Sequence, residues 1–93
     1  MLFHATHKHS YQTCHAHDDE KKSKVMESLK SAEEIGVKVH GVYVDPPGHI
    51  AYYNLEADTM EQVVQFFDPL LELGDTDIKP VMDLQAALAV LDN

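Results

Sequence analysis

The sequence predicts an α+β domain built on a four-stranded antiparallel sheet, and three observations predict it. Four short stretches are β-rich or alternate with a period of two, and two longer ones repeat apolar residues at spacings of three and four. Their order is β-α-β-β-α-β, the split βαβ arrangement, followed by one more short helical pattern. The length, 93 residues, leaves room for a single domain, 1–93, with one core. No internal repeat, linker or low-complexity tract interrupts it.

Residues 2–9 form the first expected strand, with Leu2, His4, Thr6 and Lys8 on one face and Phe3, Ala5, His7 and His9 on the other. A polar loop, Ser10 to His17, leads to Asp18-Asp19-Glu20, whose charges suit the positive end of a helix. Val25, Met26, Leu29, Ala32 and Ile35 then mark its apolar stripe, and Gly36 stops it.

Val37 to Val44 is β-rich, Asp45-Pro46-Pro47-Gly48 is a turn, and His49 to Ala57 is β-rich again, which together read as a hairpin. Thr59 and Gln62 stand at capping-box spacing ahead of Val63, Phe66, Phe67, Leu70 and Leu71, the stripe of a second helix. Pro69 must kink or restart that helix, because it has no N–H to donate. Gly74 ends it. Thr76 to Met82 is the last strand, and Pro80 argues for an edge position. Asp83 caps a terminal helix with Leu84, Ala87, Leu88 and Leu91 on one side.

In a ferredoxin-like βαββαβ fold, right-handed crossovers set the first and third strands side by side and antiparallel. The helices cover one face of such a sheet.

Composition narrows the function. The net charge is −9 and all seven basic residues are lysines, a balance that repels nucleic acid and anionic membranes. No stretch approaches the roughly 20 apolar residues of a membrane span. The start, MLFHATHKHS, lacks the basic-then-apolar pattern of a secretory signal, and a single cysteine excludes an internal disulfide. Both features predict a cytoplasmic protein.

The distinctive feature is the placement of imidazole and thiol groups. His4, His7, His9, Cys14, His15 and His17 crowd the first 17 residues, and His49 opens the third strand. His7 and His9 share a face at the end of the first strand, Cys14 follows five residues later, and an antiparallel third strand brings His49 to the same end. His7, His9, Cys14 and His49 are therefore the expected ligands of a transition metal, since imidazole and thiolate together suit Zn, Cu, Ni or Fe. Taken singly, each histidine is more often a surface or half-buried polar residue, and only the joint convergence favours a metal. Asp45, Asp75 and Asp77 fall near this end as candidates to orient a liganding histidine. His15 and His17 read as solvated loop residues. A Cys14 nucleophile paired with histidine lacks a third, orienting group.

A second set, His4, His40, Tyr52 and Asn54, is expected with Thr6 to line a polar pocket for a small molecule, if it lies on the face away from the helices. On strict alternation His40 shares a face with Val42 and Val44. Alternation leaves open whether this set or the His7/His9 face is the uncovered one.

The stretches THKHSYQTC, GVKVHGVYVDPPGHIAYYNLEAD and FFDPLLELGDTDIKPV, which together cover much of the chain, resemble an uncharacterised single-domain family of the ferredoxin-like dimeric α/β-barrel superfamily. That resemblance implies a homodimer with two sheets packed face to face. The superfamily includes monooxygenases, isomerases, haem-binding enzymes and ligand-sensing domains, so fold by itself assigns no activity. This chain has His15 where the family leads one to expect a proline after the cysteine. Two functions of different class follow. One is a metal-binding protein with a sensing or redox role. The other is a metal-free enzyme acting on a small organic molecule, with His4 or His40 as acid or base and Tyr52 as donor. A plain interaction module is the third and blandest.

Overall fold

A computed structural model describes residues 1–14 and 16–92. Its elements are β1 (Leu2–Lys8), α1 (Asp19–Ile35), β2 (Lys38–Asp45), β3 (Ile50–Glu56), α2 (Met60–Phe67), a 3₁₀ turn (Asp68–Leu70), β4 (Asp75–Val81) and α3 (Leu84–Leu91). The strands form one antiparallel sheet in the order β2-β3-β1-β4. This is the ferredoxin-like arrangement with one added helix. β4, with Pro80, lies at an edge, as expected from its missing donor.

The two faces of the sheet are now distinguished. Phe3, Ala5 and His7 of β1 are buried, with Ala51, Tyr53 and Leu55 of β3 beside them. α1 and α2 lie on this side, α1 presenting the small residues Ser28 and Ala32, and α2 presenting Val63, Phe66 and Phe67. Phe66, Phe67 and Tyr53 meet edge to face at centroid distances of 5.0 to 5.9 Å, a geometry that adds roughly 0.5–1.5 kcal/mol per pair beyond area burial. Burial there also pushes the Tyr53 hydroxyl pKa up. His4, Thr6, Tyr52 and Asn54 point to the opposite, uncovered face.

The caps explain where the helices sit. Asp18 accepts from the Lys21 N–H and opens α1, and Gly36 closes it in the left-handed region at φ 92°. Thr59 and Gln62 form the expected capping box of α2. Gln62 also donates through Nε2 to the Ile35 carbonyl at 3.1 Å, so one side chain starts α2 and finishes α1.

Four expectations are corrected. Met26 and Leu71 are exposed, because α1 turns its Ser28–Ala32 line to the core and Pro69 replaces the last turn of α2 with a 3₁₀ turn. β1 stops at Lys8, and His9 continues it through one backbone bond alone. A bulge in β2 between Val39 and Gly41 throws His40 out of alternation with Val42 and Val44. Finally, none of α3 is buried: Leu84 and Leu91 are 71% and 77% exposed.

Candidate metal centre

Three short segments build the site, each for a local reason. His9 stands one residue beyond β1, where its N–H donates to the His49 carbonyl at 3.0 Å and extends the β1–β3 pairing by one step. Gly74 makes room for it, since a Cβ at that position would overlap the Lys8 carbonyl and crowd the His9 Cα.

Cys14 arrives through a tight turn. Thr13 N–H donates to the Ser10 carbonyl at 3.1 Å, Ser10 N–H returns a bond to Thr13 Oγ1 at 3.1 Å, and Lys21 Nζ ties the loop to α1 through the Gln12 carbonyl. His49 closes the β2–β3 connection. Asp45 Oδ1 accepts from the Gly48 N–H, His49 N–H donates to the Pro46 carbonyl, and His49 itself sits at φ 58°. A side chain in that left-handed region costs roughly 1–2 kcal/mol that glycine would not incur, the kind of strain found at functional sites.

These segments bring His9, Cys14 and His49 together. One ligand atom from each lies within 4.8 Å of the other two. His9 Nε2 and His49 Nδ1 are 3.3 Å apart, with the rings edge to face. Two nitrogens bound at about 2.0–2.1 Å to one tetrahedral ion would be about 3.3–3.4 Å apart. The pair thus already has the edge length of such a coordination shell. His9 is buried and the other two are half-buried, so the group is reachable from one side.

The remaining expected residues are placed differently. His7 shares the covered face with His9 at a ring separation of 6.4 Å but stands outside the group of three, and its Nδ1 bonds Thr76 Oγ1 at 2.9 Å. Thr76 was not singled out in the sequence, although it shares parity with Ile78, which packs on the core. Asp75 and Asp77 alternate to the uncovered face, where Asp77 pairs with Lys79 at 3.1 Å. Asp45 lines a pocket with His9 and Cys14, and Asp75 lines a second hollow with His9. His17 is exposed, and His15 lies outside the described residues.

The second set divides on the uncovered face into a group of three and His40, which pairs with Glu56. His4 Nδ1 meets Asn54 Oδ1 at 2.9 Å and its ring lies over Tyr52 with centroids 6.3 Å apart. His40, displaced by the bulge, meets Glu56 Oε1 at 2.8 Å, and this bond holds the Glu56 carboxyl below its usual range. A shallow hollow lies beside His40 and Asn54.

A family described as a domain of unknown function, DUF3303, matches residues 1–93. The chain belongs to that family. No functionally curated protein matches it. Among solved structures, the crystal structure of SCO4226 from Streptomyces coelicolor A3(2) is similar: TM-score 0.63 and 17% identity, over 87% of this chain and 95% of that one. At that identity the likeness concerns the fold. Among the described residues, no helix is long and apolar enough to cross a membrane.

Proposed function

We propose that this DUF3303 protein binds a transition-metal ion through His9, Cys14 and His49, in a sensing or redox role. One observation carries the reading: three ligand atoms of the right type, from three separate segments, lie within 4.8 Å of one another. The strained backbone of His49 supports it, because an unstrained glycine would suit that turn if no side chain were required. Two imidazoles and a thiolate suit Zn, Cu, Ni or Fe(II), and a single cysteine kept reduced suits a cytoplasmic setting. Three ligands among the described residues leave a fourth position for water or another molecule.

Elemental analysis of untagged protein tests this directly. The expected result is about one metal per chain, lost in Cys14→Ala. Metal-free protein that also refuses added ions would end the proposal.

The resemblance to the dimeric α/β-barrel superfamily supports a homodimer. Two features of the chain support it as well. An eight-residue helix is too short to persist unaided, and one that is apolar on nearly every side needs a cover. Residues 84–91 also carry no charge in a chain of net −9, so a second copy can approach α3 without repulsion. The acidic charge argues against nucleic acid and anionic membranes as partners.

A further inference from the structure

A small pocket adjoins two of the three candidate ligands, His9 and Cys14, and has a character of its own. Its volume is about 200 Å³, and His9 and Cys14 form part of its wall. Ala16, Val44, Pro46, Ile50 and Ala51 make up most of the rest. Asp45 is the charged residue at this wall, and one of its carboxylate oxygens is already engaged by the Gly48 N–H. The space corresponds to about six or seven water volumes, enough for a molecule of about half a dozen non-hydrogen atoms. Among the described residues, this wall offers a polar tail little beyond Asp45.

Resting on the reading of His9, Cys14 and His49 as metal ligands, we infer that the fourth coordination position opens into this pocket. It takes a small molecule with one sulfur donor and a short hydrocarbon tail. The donor completes the tetrahedron of a borderline-soft ion that already holds one thiolate. The tail lies against Val44, Pro46 and Ile50. A thiol binds there as the thiolate, and its proton leaves to water. The apolar wall, rather than the metal, then selects among ligands bearing the same donor.

The test uses the full chain loaded with Co²⁺, whose visible bands report tetrahedral nitrogen and sulfur ligation. Two probes of nearly equal size are titrated, 1-propanethiol and 2-mercaptoethanol, which differ by a methyl in place of a hydroxyl. The expected result is a shift of the cobalt bands by both, with propanethiol binding at least about threefold more tightly, because its methyl removes apolar surface from water against Val44, Pro46 and Ile50 and the hydroxyl does not.

Val44 is 63% exposed on an edge strand, so Val44→Ser removes apolar surface from the pocket wall without opening the core or adding a carboxylate ligand. It should take up the same amount of cobalt and lose at least about threefold in propanethiol affinity. Bands that ignore both thiols, or that answer both equally, overturn the inference and leave the metal reading standing. A wild-type chain that takes up no cobalt overturns both.

Discussion

His9 and His49 face each other across the end of the β1–β3 pair, joined by a backbone bond of 3.0 Å and a ring-nitrogen contact of 3.3 Å. The backbone bond sets the ring contact: residues paired across antiparallel strands bring their side chains to one face. An ion placed between these nitrogens would replace a weak imidazole–imidazole contact with two coordinate bonds. Each ligand must be deprotonated to bind, so metal uptake at this group should release protons and weaken in acid.

The left-handed backbone of His49 predicts opposite effects on stability and on binding. His49→Gly removes the strain and should raise the metal-free stability by about 0.5–1 kcal/mol, less than the full strain because glycine also loosens the unfolded chain. The same change should abolish stoichiometric metal uptake. Urea unfolding alongside elemental analysis checks both. A variant that still holds one metal per chain would remove His49 from the site.

His7 and Cys14 should separate cleanly. His7→Ala removes a buried ring and leaves Thr76 Oγ1 without that bond, so it should destabilise the fold by about 1–3 kcal/mol. Its metal content should stay near that of the wild type, whereas Cys14→Ala loses the metal with little change in stability. Unaltered stability and lost metal in His7→Ala would show that His7 is a ligand after all.

Leu84→Glu and Leu88→Glu place charges on α3, none of whose described residues is buried within the chain. If a second copy covers this helix, each variant should move the sedimentation coefficient from dimer to monomer and lower the Tm. A dimer that survives both changes would have to form elsewhere, the uncovered sheet face being the remaining broad surface.

The N-cap predicts an acid limit for α1. Bonding to the Lys21 N–H holds the Asp18 carboxyl below its usual 3.8, so its contribution is present above pH 3.8 and is lost as the pH falls further, through the folded value. Asp18→Asn should flatten that part of the stability curve, measured by helical circular dichroism. An identical acid transition in both proteins would count against Asp18 as the source.

Much of this architecture was legible because it depends on local chemistry. Asp18, Gly36 and Thr59–Gln62 act within a few residues of themselves, so both ends of α1 and the start of α2 follow from their neighbours in the chain, whereas α2 ends at Phe67 rather than at Gly74. The strand order followed from handedness, and with it the meeting of His9, Cys14 and His49 at one end of the sheet. Tertiary structure alone decided the rest. Which face of β1 the helices cover depends on where Phe66 and Phe67 pack, and alternation is symmetric between the two faces. A one-residue bulge, invisible to a period of two, carried His40 across the sheet to Glu56. Residue type and spacing nominated four metal ligands. Among the described residues, the fold brings three of those candidates within 4.8 Å of one another, a distance that only the folded backbone sets.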